Sequence, residues 1–233
     1  MTFVLIHGAW HGGWCWRHVV RLLREQGHEV HAPTLTGLGD RAHLASREID
    51  LDTHIRDVLG LIEAEELQDV VLVGHSYAGM VITGVADRVP DRIRRLVYFD
   101  AFVPENGKAL TDYVGPERAA HQKQEGKETG TIGPMPAAAL GLTRPEDIAW
   151  ATRRQVRHPI GTMTQPLSLS NEAALARLPK AFVNCHSATG SFDQFASKIR
   201  LDPAWRYLEL KTGHDAMIID PQGTAKILID CLG

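Results

Sequence analysis

The sequence predicts an α/β fold: a mostly parallel sheet of about six strands, helices on both of its faces, and an inserted cap. Three observations carry this. Short apolar runs alternate with helical patterns in the first hundred and the last fifty residues. Each run is almost continuously apolar, as a strand covered on both faces must be. Between residues 104 and 178 the alternation stops, and Gly-Pro and X-Pro pairs break the pattern repeatedly. The expected organisation is therefore a core made of residues 1–103 and 179–233, with 104–178 folded over one end of the sheet as a cap.

The elements follow in order. Residues 3–6 (Phe-Val-Leu-Ile) read as a buried strand ended by His7-Gly8. A helix is expected over 15–26, with Trp16, Val19, Val20, Leu22 and Leu23 as its apolar stripe and Gly27 as its stop. Residues 29–32 form a second short strand closed by Pro33. The stretch 34–49 reads as a loop, and the Gly-rich run Gly37-Leu38-Gly39-Asp40-Arg41 within it as a mobile rim. Asp50 caps a helix over 51–65, where Ile55, Val58, Leu59 and Ile62 recur at helical spacing. A strand over 70–74, a helix over 77–88 and a strand over 94–99 complete the first half. After the cap come a strand at 181–185, a helix over 191–199 and a strand at 206–210. Asp220-Pro221 opens a last helix, with the capping residue before a proline at the first position. The charged run 117–128 is expected to be a solvated helical face of the cap.

Composition bounds the function. With 233 residues, 44% of them hydrophobic and 23% charged, the chain can bury a deep core without staples. A net charge of -3 argues against nucleic acid or an acidic membrane as the main partner. The three cysteines, Cys15, Cys185 and Cys231, are odd in number and scattered, which fits free thiols in a reducing compartment. No basic leader precedes an apolar core, and no run is long enough to cross a bilayer. Cytoplasmic placement is the expectation; a homodimer is left open.

The chemistry centres on Val70-Val71-Leu72-Val73-Gly74-His75-Ser76-Tyr77-Ala78-Gly79, a strand–turn–helix with one serine at the bend. A bend that sharp needs small residues two positions either side, here Gly74 and Ala78. A serine hydroxyl becomes a nucleophile only when a base takes its proton, and near neutral pH that base is usually histidine. Enzymes with this turn run in the chain order Ser, acid, His. Of the 12 histidines, His214 falls between the last expected strand and the last helix, the slot the base requires. The oxyanion of a tetrahedral intermediate needs two amide donors, expected at Tyr77, after the nucleophile, and at Ala9, after the first strand. His7, Ser76, Asp100 and His214 each follow an expected strand, and ligands of parallel sheets bind at those carboxyl ends.

The strings Phe3-Val4-Leu5-Ile6-His7-Gly8-Ala9-Trp10-His11-Gly12-Gly13-Trp14-Cys15-Trp16, Gly74-His75-Ser76 and Gly213-His214-Asp215-Ala216-Met217 resemble the α/β-hydrolase branch that holds plant methylesterases and hydroxynitrile lyases. The resemblance spans the chain and is weak only in the cap. It implies an α/β-hydrolase fold, a cap over an apolar pocket, Ser76 as nucleophile, His214 as base, and Ala9 and Tyr77 as oxyanion donors. The lyases it resembles carry Thr after the first-strand His and Lys after the catalytic His. This chain has Gly8, which matches the esterases, and Asp215, which matches neither and would repel a departing cyanide.

The triad acid departs from the resemblance. Relatives place an Asp shortly after the strand that here ends at Cys185, but 186–190 reads His-Ser-Ala-Thr-Gly. Asp100, at the preceding strand end, is the expected acid; Asp193 is the alternative, and a base without an acid partner the third case. Gly8, Trp10 and His11 are candidate pocket residues. Trp14 and Trp16 either wall the same pocket or pack the core, and His11 and His75 more often brace loops than bind metal. The reading is a serine hydrolase of small to medium apolar esters, working through an acyl-enzyme, with no cofactor or metal. Its rivals are a lactonase or hydroxynitrile-lyase-type enzyme with the same triad, and a ligand-binding receptor on the same scaffold.

Overall fold

A computed structural model describes residues 1–186, 190 and 192–233. The first half builds one edge and the centre of a sheet: β1 (Thr2–Ile6), α1 (Arg17–Glu25), β2 (Glu29–His31), α2 (Leu51–Ala64), β3 (Val70–His75), α3 (Ala78–Arg88) and β4 (Ile93–Phe99). The intervening segment holds α4 (Pro116–Thr129), β5 (Thr131–Ile132), α5 (Pro145–Thr152), β6 (His158–Pro159), α6 (Gly161–Thr164) and α7 (Glu172–Arg177). The chain returns to the sheet with β7 (Lys180–Asn184), α8 (Asp193–Ile199), β8 (Trp205–Glu209), α9 (Ala216–Ile219) and α10 (Pro221–Asp230).

The six strands run in the order β2-β1-β3-β4-β7-β8, every neighbouring pair parallel. Alternation along β1 shows why the strands read as unbroken apolar runs. Phe3 and Leu5 enter one cluster with α1 and α10, and Val4 and Ile6 enter the other with α2 and α3. All four are fully buried, each worth about 1.5–3 kcal/mol against exposure. Two-sided burial leaves no polar face to mark the strand period.

Chain order reverses at β1: β2 lies on one side and β3 on the other. Loops leaving the carboxyl ends of such a pair diverge and open a crevice. Ile6 pairs with Gly74, and His75 with Phe99, so the residues after β1, β3 and β4 emerge side by side.

The structure departs from the sequence expectations at short elements. The helix expected from residue 15 opens as a 3-10 turn, Gly13–Trp16, and becomes α-helical at Arg17. Its stop is as expected, with Gly27 at φ +82°. The 34–49 loop contains a 3-10 helix, Gly39–Leu44. Leu35 and Leu38 are fully buried, and Arg41 bonds the carbonyl of Thr34, so this rim is anchored to the core. Helix α2 carries the expected cap, the Asp50 carboxylate accepting from the Thr53 amide at 2.8 Å. The charged run lies on α4 and is largely exposed, but Gln122 and Gly126 turn inward. The expected helix start at residue 191 and the carboxylate-free stretch at 187–189 lie outside the described residues. No helix among the described residues is long and apolar enough to cross a membrane.

Candidate active site

Strand β3 delivers Ser76 to the bend in a left-handed backbone, φ +57°. A non-glycine residue there costs on the order of 1–3 kcal/mol unless its surroundings hold it. They do: the Ser76 amide donates to the Phe99 carbonyl at 3.3 Å, and its carbonyl accepts from Gly79 at 3.1 Å and Phe102 at 3.2 Å. The small neighbours are required by backbone. A Cβ on Gly74 would lie 2.8 Å from the Ala78 carbonyl oxygen, and one on Gly79 would overlap that of Phe102. The more crowded position is thus Gly79, three residues after the serine.

Asp100 follows β4, also left-handed at φ +44°. Its Oδ2 accepts from His214 Nδ1 at 2.6 Å, and its Oδ1 from the Cys185 amide at 3.2 Å. Asp100 is fully buried and His214 nearly so. A carboxylate only accepts, so the proton sits on Nδ1 and Nε2 is left as the basic nitrogen. The His214 ring stacks on Phe192 with centroids 5.1 Å apart. Asp193, the alternative acid, is exposed at the first turn of α8.

Ser76 and His214 open into one cavity. The loop after β1 supplies Ala9 and Trp10 to its wall, and Tyr77 stands beside the serine. The segment between β4 and β7 contributes apolar Leu110, Met135, Leu140 and Met163, with polar Arg118 and Gln122. Of the three candidate pocket residues, Trp10 lines this cavity, and Gly8 and His11 do not. Gly8 is behind the wall: a Cβ there would meet His75 Nδ1 at 2.8 Å and Ser76 Cβ at 3.0 Å. His11 points away because it bonds Ala9 and Asp215 instead. Trp14 packs edge-on against Trp150, and Trp16 is fully buried against Phe99, so both belong to packing.

Behind the wall lies a polar layer the sequence did not reveal. His11 donates through Nδ1 to the Ala9 carbonyl at 2.7 Å and through Nε2 to Asp215 Oδ2 at 3.0 Å. Burial disfavours its charge, but the Asp215 carboxylate and these bonds outweigh that and raise its pKa. His75 Nε2 donates to the His214 carbonyl at 3.1 Å, fixing the loop that carries His214. Donor atoms of His75, His214 and Asp215 lie within 4.8 Å of one another, a spacing a metal could use. There, however, His75 Nε2 and His214 Nδ1 are already engaged, and Asp215 pairs with His11.

On the other side of the loop, Tyr77, His54 and His158 form a second network. His54 Nε2 donates to the Thr36 carbonyl, and its Nδ1 accepts from the Tyr77 hydroxyl at 2.8 Å. His158 Nδ1 accepts from the Trp10 amide at 3.3 Å, while Nε2 donates to Thr162 Oγ1 at 2.7 Å. His7 donates to the Gly8 carbonyl and accepts from the Leu35 amide. Burial, the largest cause in each case, lowers His7 to about 3 and His54 to about 4, and pushes His75 and His158 well down. Nothing in sequence separates these from exposed histidines.

Residues 3–227 match the family described as the alpha/beta hydrolase family. A carbendazim hydrolyzing esterase of Nocardioides sp. (strain SG-4G) is 43% identical, the alignment covering 97% of this chain and 98% of that protein. Methylesterase 2 of Arabidopsis thaliana is 35% identical over 53% of this chain and 48% of its own length. Among solved structures, an extracellular alpha/beta-hydrolase from a Paenibacillus species shares the fold, with a TM-score of 0.87, 24% identity, and 99% and 98% of the two chains covered.

Proposed function

The chain belongs to the alpha/beta hydrolase family and is a carboxylic ester hydrolase, and on that premise we propose that Ser76 is its nucleophile, His214 its general base and Asp100 the acid that orients the base. Ser76 Oγ attacks the ester carbonyl as His214 Nε2 takes its proton, and the carbonyl carbon becomes tetrahedral. Amides of Ala9 and Tyr77 receive the oxyanion. The intermediate collapses to an acyl-enzyme as His214 returns the proton to the leaving alkoxide. Water, deprotonated by the same nitrogen, then releases the acid. Asp100 holds the imidazole in the Nδ1–H tautomer and stabilises the imidazolium.

The observation that carries this reading is the 2.6 Å hydrogen bond that His214 Nδ1 donates to Asp100, behind a cavity onto which Ser76 also faces. The segment 104–178 acts as a cap, since it supplies about half of the cavity wall. A largely apolar wall suits small to medium apolar esters. Asp215 speaks against cyanohydrin cleavage, because a buried carboxylate paired with His11 offers no cation to a leaving cyanide. Three free, buried thiols fit a cytoplasmic protein.

The test is acylation. A short-chain p-nitrophenyl ester should give a burst of p-nitrophenol, and an organophosphate should abolish it by labelling Ser76. Ser76→Ala should lower kcat roughly 10⁶-fold. A folded protein that hydrolyses the ester without ever becoming acylated would overturn the proposal.

A further inference from the structure

The peptide group that joins His214 to Asp215 is gripped at both ends. Its carbonyl accepts from His75 Nε2 at 3.1 Å, and His75 is the residue before Ser76. Its amide donates to the Leu140 carbonyl, also at 3.1 Å. The first grip comes from the end of β3 and the second from the cap. Asp100 anchors the His214 ring through Nδ1, but a bond to one ring atom leaves the Cα free to move. The two bonds to the adjoining peptide remove that freedom, because a plane held by both its oxygen and its nitrogen cannot turn.

Leu140 ends a 3-10 turn, Ala137–Leu140, and Gly141 follows at φ +94°. This turn meets the base loop backbone on backbone. A Cβ on Gly141 would stand 2.6 Å from Gly213 Cα and 3.1 Å from the His214 nitrogen, and one on Gly213 would stand 2.7 Å from Gly141 Cα. At Gly141 the left-handed backbone alone favours glycine. Gly213 is outside that region, so there the closeness of Gly141 is the constraint. The Leu140 side chain lines the catalytic cavity, so one residue faces the substrate space with its side chain and holds the base loop with its backbone. Ala137 and Leu142 root the turn in the core cluster that contains Met217 and Ile218 of α9. We infer that Leu140-Gly141 is a positioning device for the base: His214 faces Ser76 only while this part of the cap is seated on Gly213. This rests on the reading of His214 as general base and adds what sets its place. Displacing a reacting group by about 1 Å can cost about a hundredfold in rate.

A methyl group at residue 213 tests this. Gly213→Ala is made together with Ile219→Val, which removes the Ile219 Cδ1 that the new methyl would otherwise meet at 2.8 Å. Against Ile219→Val alone, at equal folded fraction, Gly213→Ala/Ile219→Val should lose about a hundredfold in kcat on a p-nitrophenyl ester, with KM within about threefold. The downfield proton resonance of His214 Nδ1–H, identified by its loss in His214→Ala, should shift or broaden in the same variant. General loosening of the core would not single out that proton. Leu142→Ala, which lines no part of the cavity, frees the turn from the core side and decides the matter where Gly213→Ala/Ile219→Val does not fold. An unchanged kcat, a loss confined to KM, or a fall in kcat with the resonance unmoved would each overturn the inference. Turnover undiminished in His214→Ala instead defeats the base assignment itself, and the inference with it.

Discussion

A histidine whose two ring nitrogens both face acceptors must carry two protons. His11 is in that position, between the Ala9 carbonyl and the Asp215 carboxylate, so a buried imidazolium–carboxylate pair ties the loop of Ala9 to the loop of His214. Removing one member strands the other's charge at about 3–5 kcal/mol, whereas removing both is often close to neutral. Asp215→Leu is therefore expected to unfold at markedly lower urea than His11→Leu/Asp215→Leu, and a double variant as unstable as the single would refute the pair. Asp100 and Asp193 are separated by activity at equal folded fraction. Asp100→Asn should lower kcat by on the order of 10⁴-fold, and Asp193→Asn should leave it within about twofold; the reverse order would reassign the acid. The residues proposed as the triad, Ser76, Asp100 and His214, could be picked out because each follows a strand end, a position that can be counted along the chain. Asp215 was not, because its partner lies 204 residues away and adjacency to His214 gives no hint of direction.

At the scale of elements, the core was readable and the inserted segment was not, for a reason of length. Periodicity needs several residues to show itself. Strands β5 and β6 have two residues each and α6 has four, so proline punctuation was all that the sequence offered there. One of these fragments has a large consequence. The Val156 amide bonds the Trp10 carbonyl at 3.0 Å, and His158 on β6 accepts the Trp10 amide. Trp10 is held at φ +65°, directly after Ala9. The segment thus grips the loop proposed to carry an oxyanion donor from both sides of one residue. Losing one such donor outright costs about 10²–10³ in kcat. His158→Phe, which loosens the loop without deleting a donor, is expected to lower kcat by about tenfold to a hundredfold with a smaller change in KM. His158→Asn, which keeps an acceptor, should recover part of it. A loss confined to KM would show that His158 serves only to shape the cavity.

For the whole molecule, the buried histidines set the response to acid. Six of the 12 are buried: His7, His11, His54, His75, His158 and His214. In His7, His54 and His158 one nitrogen accepts a hydrogen bond, from Leu35, Tyr77 and Trp10 respectively, and each protonation would break that bond as well as bury a charge. With His7 at about 3 and His54 at about 4 in the folded chain, against about 6.5 when unfolded, the unfolded state binds more protons between those values. The stability these groups give is fully present above pH 6.5 and is lost as pH falls toward 4. Two such groups give a slope of about 2.7 kcal/mol per pH unit, and His75 and His158 steepen it. His11 has the opposite sign: its raised pKa stabilises below 6.5 and that contribution is lost as pH rises through the raised value. Against a total of about 5–15 kcal/mol, the acid limb dominates, and cooperative unfolding is expected between about pH 4 and 5.5 at room temperature. Urea midpoints measured from pH 8 to 4 check this. A midpoint unchanged between pH 6 and 4.5 would mean that these rings take up protons without unfolding the protein, and that water reaches the layer on which the site is built.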